Sequence, residues 1–127
     1  MPQKEIIYKE LSFKINGLLF DIHNKLGRLC REKQYGDAFE KVLKEEGVVF
    51  EREKEIPMSG IDNRRTNIVD FIVDGRLLID LKAKSIVTKD DYYQMQKYLQ
   101  AGSYKLGLIV NFRNLHLRPL RVVRHNS

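Results

Sequence analysis

Hydrophobic residues recur every three or four positions in the first third of the chain, which is the spacing of one buried face of a helix. The pattern predicts a first helix over about residues 5–26, ended by Gly27, and a second over about residues 31–46, ended by Gly47. Gly17 lies inside the first helix and lowers its local helix propensity. We expect a close contact with another helix to explain this glycine.

Apolar and β-branched runs dominate the rest of the chain, which is typical of strands. The predicted strands cover residues 48–56, 105–112 and 115–123 and both arms of a hairpin over 67–85. The first of these strands is rich in charge and is expected at a sheet edge, and a polar loop over 57–65 follows it. Thr88, directly before a lysine and two aspartates, is typical of an N-cap and predicts a helix running to about Gln100.

The resulting order of elements, α-α-β-β-β-α-β-β, predicts one α/β domain over residues 1–127. Three consecutive antiparallel strands, a crossover helix and a further strand form a mixed sheet with helices on its faces. A chain of 127 residues can bury one hydrophobic core and is too short for two.

Three ionisable residues interrupt the apolar hairpin of residues 67–85, namely Asp70, Asp80 and Lys82. Burying an unpaired charge costs roughly several kcal/mol. A fold therefore keeps such residues in its centre mainly when they meet one another, a metal or a substrate. The alternative is a structural ion pair between Asp80 and Lys82.

The length of the hairpin loop decides whether the two aspartates share a face of the sheet. A two-residue loop at Asp74-Gly75 would place them on opposite faces. A three-residue loop over 73–75 instead places Asp70 opposite Leu78, with Asp80 as its diagonal neighbour on the same face. Diagonal neighbours lie about 7–8 Å apart, so both carboxylates could converge on one cation. We choose this register because the two-residue loop would bury two isolated carboxylates on different faces.

Composition narrows the class of protein. Hydrophobic residues at 43% and charged residues at 31% are typical of a globular domain and exclude a disordered chain. The single cysteine, Cys30, excludes an internal disulfide and suits a reducing compartment. No apolar run approaches the roughly 20 residues needed to span a bilayer, and the first residues lack the apolar core of a signal peptide. We therefore expect a cytoplasmic protein without a membrane partner.

The spacing of the hairpin's charged residues resembles a known motif. Asp70, nine further residues and then Asp80-Leu81-Lys82 resemble the D…(D/E)xK core of the PD-(D/E)XK nuclease superfamily. The predicted order of elements is also the core layout of that superfamily. The resemblance implies a restriction-endonuclease-like fold and a metal-dependent nuclease.

Further motifs are similar to those of the GxxExxY family, a small branch of this superfamily, from about residue 15 to residue 123. They are Ile22-His23, Leu26-Gly27, Glu32-x-x-Tyr35, Gln94-x-x-x-Tyr98-Leu99, the segment LGLIVNF at 106–112 and LRVV at 120–123. Two positions depart from the family. Its leading glycine falls at Leu29, and Asp80 stands where glutamate is more common. Aspartate is a competent metal ligand, so neither departure argues for an inactive protein.

The resemblance assigns roles to particular residues. The implied metal ligands are Asp70, Asp80, the backbone carbonyl of Leu81 and Glu32. Oxygen ligands of this kind suit Mg²⁺ or Mn²⁺. Lys82 would orient the attacking water or steady the phosphate, and Gln94 would hold that water or a backbone phosphate. The alternative for Glu32 is a glutamate at a helix start that only complements the helix dipole.

A net charge of +6 favours a polyanionic partner. With the resemblance, that partner is nucleic acid, and DNA is favoured over RNA. The predicted phosphate contacts are Lys84, Lys89, Arg113, Arg118, Arg121 and Arg124. A generally basic, solvated surface is the alternative.

Two questions of function stay open at this point. The first is whether the chain cleaves or is a catalytically inactive module that binds nucleic acid or protein on the nuclease fold. The second is assembly. One small domain with one site would nick a duplex, so cutting both strands would require a homodimer or two visits.

Overall fold

The computed structural model describes residues 6–57 and 67–125, which form three helices and five strands. The elements are α1 (Lys9–Leu26), α2 (Glu32–Glu45), β1 (Phe50–Glu55), β2 (Ile68–Val73), β3 (Leu77–Lys82), α3 (Lys89–Gly102), β4 (Leu106–Asn111) and β5 (Leu120–Val123). The predicted order of elements is therefore confirmed. Residue 5, the expected start of the first helix, and residues 58–65 of the predicted polar loop lie outside the described residues.

The strands form one mixed sheet in the order β1-β2-β3-β4-β5. Strands β1, β2 and β3 are antiparallel neighbours, α3 crosses over to β4, which is parallel to β3, and β5 returns antiparallel to β4. Strand β1 lies at an edge and is mostly exposed, as its charge predicted. Central strands β3 and β4 are buried except for Lys82 at the end of β3. The α/β class with a mixed sheet is confirmed.

Helices cover both faces of the sheet. Apolar side chains of α1 and α2 pack with Phe71, Ile79, Leu108 and their neighbours on one face. Apolar side chains of α3 pack with Ile72, Leu78 and Ile109 on the other. Because side chains alternate along a strand, Asp80 shares the α3 face with Leu78. A buried carboxylate therefore lies beneath α3.

The predicted hairpin register is wrong by one residue in each strand. Val73 pairs with Leu77, so the three loop residues are 74–76 rather than 73–75. Asp74 and Gly75 both adopt positive φ, at 55° and 65°, which suits a tight turn with two left-handed residues. Continued along the strands, this register places Asp70 directly opposite Asp80 instead of diagonally. The prediction that both carboxylates share a face holds, and they lie closer than expected.

Helix α1 agrees with its predicted end but not with the predicted reason for its glycine. Gly27 ends the helix with a positive φ of 74°, and its N–H donates to the His23 carbonyl. A Cβ added at Gly17 would meet nothing within 4 Å, so no neighbouring helix of the described chain approaches there. The expected close contact is absent within the described residues.

No described helix has both the length and the apolar character required to cross a bilayer.

Candidate metal and phosphodiester site

Two aspartates lie where the backbone ladder between β2 and β3 stops. The last paired residues are Phe71 and Ile79. Beyond them, the Asp70 N–H donates to Asp80 Oδ1 at 3.3 Å, and the Leu81 N–H donates to Asp70 Oδ2 at 2.7 Å. Carboxylate oxygens thus replace the main-chain acceptors of the next ladder step. This substitution explains how two acidic side chains enter the centre of an apolar hairpin.

Ionisation of the Asp70 and Asp80 carboxyl groups is unfavourable. Burial, followed by the neighbouring Asp80 charge, raises the pKa of Asp70 from 3.8 to about 6. Burial also raises the pKa of Asp80, although the nearby Lys82 ammonium opposes the shift. Two carboxylates that both resist ionisation are stabilised by an added cation. The arrangement therefore suits a divalent metal.

Lys82 lies between two carboxylates on the α3 face. Its Nζ is 3.7 Å from Asp80 Oδ2 and 3.9 Å from Asp91 Oδ1. Both distances are longer than that of a close ion pair. The Lys82 side chain also keeps 19% of its surface exposed. The ammonium group is therefore held near the Asp70–Asp80 pair while remaining accessible to a ligand.

Asp91 has two roles, which sequence inspection did not separate. It belongs to a reciprocal capping box with Thr88 at the start of α3, which confirms the predicted N-cap. Its carboxylate also pairs with Lys84 and lies near Lys82. Burial opposes ionisation of Asp91, but hydrogen bonds from Lys84 and Thr88 and the Lys82 charge outweigh it and lower its pKa.

Asn111 holds the end of β3 against the end of β4. Its side chain is 2% exposed, accepts hydrogen bonds from the N–H groups of Lys84 and Arg113, and donates to the Lys84 carbonyl. One buried amide thus orients both basic residues that follow these strands. Sequence inspection noted its segment only as part of a motif and gave this residue no role.

A cavity of about 280 Å³ opens beside the carboxylates, bordered by Glu32, Glu53, Asp70 and Leu81 among others. Glu32 starts α2 and is exposed, and its charge contributes to raising the pKa of both aspartates. Within residues 6–57 and 67–125, however, no three histidine, cysteine or acidic side chains are grouped closely enough to hold a metal. The structure thus brings Asp70 and Asp80 together and leaves Glu32 further out.

The Tyr98 hydroxyl borders the same pair from α3. It donates to the Ile68 carbonyl at 3.4 Å. Burial and then the charges of Asp80 and Asp70 raise the pKa of Tyr98 to about 12, and a hydrogen bond with Gln94 partly offsets that rise. Gln94 itself is exposed, one helical turn before Tyr98. The predicted site glutamine therefore lies at the rim of the site.

The six basic residues predicted to contact phosphate separate into two groups. Those at the end of the sheet that carries Lys82 and Asn111 are Lys84, Lys89, Arg113 and Arg118. Arg28 joins them, because its guanidinium and that of Arg113 each donate to the other's backbone carbonyl, at 3.2 and 2.9 Å. Sequence inspection missed Arg28, since 85 residues separate the two partners.

Arg121 and Arg124 do not belong to this basic end. The Arg121 guanidinium donates to Ser12 Oγ and to the Ile7 carbonyl, both at 3.0 Å, and so secures the start of α1. Arg124 follows β5 beside Lys105, at the opposite end of β4 from Asn111. These two arginines therefore lie away from the Asp70–Asp80 pair, and their contact with phosphate stays a prediction.

Comparison with known proteins identifies a family that covers most of the chain. The sequence model of a family described as the PD-(D/E)XK nuclease superfamily matches residues 9–124. A comparison with curated proteins finds no match.

Proposed function

The chain belongs to the PD-(D/E)XK nuclease superfamily, and from this premise we propose that it is a metal-dependent nuclease hydrolysing phosphodiester bonds in nucleic acid. One observation carries the proposal: two adjacent carboxylates with raised pKa values, the half-buried Asp70 and the buried Asp80, lie beside the Lys82 ammonium group. Such mutually destabilising acids are characteristic of functional sites. A basic surface at the same end of the sheet supports a polyanionic substrate.

The residues present fit a hard divalent cation, and we propose Mg²⁺ or Mn²⁺. Asp70 and Asp80 would bind it directly, with the Leu81 carbonyl as a further oxygen ligand. Glu32, further out along the cavity, would act through a bound water, because Mg²⁺ keeps several waters. When bound, the metal supplies Lewis acidity and lowers the pKa of a bound water.

The protein's own groups would then position the substrate and neutralise charge. Lys82 would orient the attacking water and stabilise negative charge on the phosphate, because its ammonium lies next to Asp80 and is partly accessible. Asp91 would hold Lys82 and Lys84 in place from the start of α3. Gln94, at the rim, would hold the water or a phosphate oxygen.

Membership of the superfamily does not specify the branch, the substrate or the assembly of this chain, and we propose each of them. We assign the chain to the GxxExxY branch, on Glu32-x-x-Tyr35 and Gln94-x-x-x-Tyr98-Leu99. DNA is the favoured substrate. Five basic residues would contact its backbone phosphates, namely Arg28, Lys84, Lys89, Arg113 and Arg118. We propose a cytoplasmic setting, because the single free cysteine suits a reducing compartment. A homodimer would allow both strands of a duplex to be cut.

The deciding experiment is a cleavage assay. Single-stranded, duplex, nicked and branched DNA, and RNA of the same sequence, are incubated with the protein and Mg²⁺ or Mn²⁺. Asp70→Asn and Lys82→Met are the matched inactive controls, and EDTA should abolish any signal. A folded wild-type protein that cleaves none of these substrates would refute the nuclease proposal.

A non-catalytic binding module is the second candidate, and one observation favours it. Among the described residues, the third carboxylate does not join Asp70 and Asp80 in a metal-binding group. Thermal unfolding with Mn²⁺ separates the two candidates. A ligand at about 100 times its dissociation constant adds roughly 2.7 kcal/mol to the free energy of unfolding. An equal shift in wild type and Asp70→Asn, or no shift in either, would favour the module.

A further inference from the structure

The outer face of α1 carries aromatic side chains that the described residues of the chain leave uncovered. Phe13 is 81% exposed and Phe20 is 41% exposed, although the other face of α1 buries Ile15, Leu19 and Ile22. Gly17 lies between the two phenylalanines and is also exposed, with open space where a Cβ would stand. Another helix could pack closely against the exposed backbone at Gly17 and bury the two phenylalanines.

Helical geometry arranges this face in two rows. At about 100° per residue, Phe13 and Phe20 lie about 40–60° to one side of Gly17, and Lys14 and Asp21 lie equally far to the other side. All four are exposed. The face therefore has a glycine axis, an aromatic row and a charged row.

We propose that α1 is a self-association surface, on which a second copy of this chain packs antiparallel across Gly17. A two-fold axis brings each row against its own copy in reverse order, so that residue i meets j and j meets i. Phe13 then packs against Phe20 of the second copy, and Lys14 pairs with Asp21 of the second copy. Each contact occurs twice, and all four partners are already present on one helix.

A second charge pair continues the complementarity. Glu10 lies on the charged side about 10 Å before Gly17, and Lys25 lies on that side about 12 Å after it. In the antiparallel arrangement Glu10 therefore meets Lys25 of the second copy. Arg121 secures the start of α1 through Ser12 and Ile7, so the helix presents this face from a fixed position. The charge order favours an identical chain over an unrelated helix.

The size of the face predicts the strength of the dimer. Eighteen residues make a helix about 27 Å long, and one helix face about 10 Å wide covers less than the roughly 800 Å² per partner of a standard interface. A dissociation constant of about 10–100 μM is therefore expected rather than a nanomolar one. Such a dimer forms at high local concentration and separates on dilution.

The test measures mass and does not depend on nuclease activity. Sedimentation velocity of the full chain at up to about 0.5 mM should show a shift from 15.0 kDa toward twice that mass. Lys14→Asp and Asp21→Lys should each weaken the homodimer about tenfold, because like charges then meet twice. An equimolar mixture of the two variants should restore association, because both charge pairs are re-formed in the heterodimer.

Two further variants separate association from folding. Gly17→Gln should melt at an equal or higher temperature, because its side chain enters open space and improves helix propensity, yet it should dimerise more weakly. Lys97→Asp, an exposed change on α3, is the matched control and should leave the mass distribution unchanged. A wild-type chain that stays at 15.0 kDa throughout, or variants that fail to associate on mixing, would overturn the proposal.

Discussion

Two polar side chains, Asp80 of β3 and Gln96 of α3, are each only 5% exposed, yet their surroundings differ in kind. Gln96 donates to the Val123 carbonyl and the Tyr92 hydroxyl and accepts the His125 N–H, so its polar atoms meet neutral partners. Asp80 faces another carboxylate, and both have raised pKa values. The first cluster is complete in itself and joins α3 to β5. At neutral pH the second is stabilised by an added cation, which is why we place the chemistry there.

The largest effect should come from Lys82→Met. The methionine keeps the apolar volume of the lysine stem and removes the charge, so the fold should survive. Cleavage should fall by about 10²–10³-fold, as when one electrostatic stabiliser of a transition state is removed. Metal binding should persist or tighten, because the cation replaces the lost ammonium beside Asp80. A melting curve and a single-turnover cleavage assay measure both quantities.

Gln96→Leu is the matched change in the neutral hydrogen-bonded cluster around Gln96. It leaves the His125 N–H and the Val123 carbonyl without their partner and should lower the free energy of unfolding by about 1–3 kcal/mol. Specific activity of the folded fraction should stay normal. If Lys82→Met instead destabilised the protein strongly and kept normal specific activity, the lysine would be a structural partner of Asp80.

The strain in the carboxylate pair predicts a pH dependence of stability. The pKa of Asp70 is about 6 in the folded protein against an ordinary 3.8. Its contribution to the free energy of unfolding is therefore fully present below about pH 4 and is lost as pH rises through about 6. Relative to Asp70→Asn, the metal-free wild type should lose about 2–3 kcal/mol between these limits. Urea titrations from acid to neutral pH measure the difference.

Saturating Mn²⁺ should remove that loss in the wild type, because the cation offsets the repulsion between the carboxylates. Asp90→Asn provides the control, since Asp90 is exposed in the first turn of α3 and lies outside the pair. Stability curves of wild type and Asp70→Asn that ran parallel across the whole pH range would contradict the account of the pair.

A smaller effect is expected from Asp91→Asn. The asparagine keeps the shape of the capping residue but loses the charge that holds Lys82 and Lys84. Cleavage should fall about tenfold, a loss of about 1.4 kcal/mol in transition-state stabilisation, with a larger change in kcat than in KM. Thr88→Ala, which removes the cap hydroxyl without touching either lysine, should reduce stability and leave kcat unchanged. Equal kcat losses in the two variants would show that only capping matters.

The smallest effect concerns the basic end. Arg113→Ala should weaken DNA binding and reduce the slope of log affinity against log salt by about one, because one phosphate contact is lost. Arg124→Ala, at the far end of β4, should leave the slope unchanged. Fluorescence anisotropy at several salt concentrations compares the two. Equal slopes in both variants would place the nucleic acid elsewhere on the protein.

The sequence by itself determined the elements and the candidate chemistry. Helical and alternating hydrophobic periods, the Thr88 cap and the Gly27 stop are local signals, because they depend on residues a few positions apart. Asp70, Asp80 and Lys82 were evident for a similar reason, since a charge inside an apolar hairpin has a cost that can be recognised without coordinates.

Only the tertiary structure decided what these residues meet. The hairpin register was wrong because turns that begin one residue apart are nearly equal in local preference, and packing selects between them. Arg121 was assigned to phosphate because its charge is visible in the sequence, whereas its bond to Ser12, 109 residues away, is not. Asn111 and Arg28 acquire their roles through contacts of the same kind. Long-range partners depend on how the layers pack, and periodicity carries no information about that.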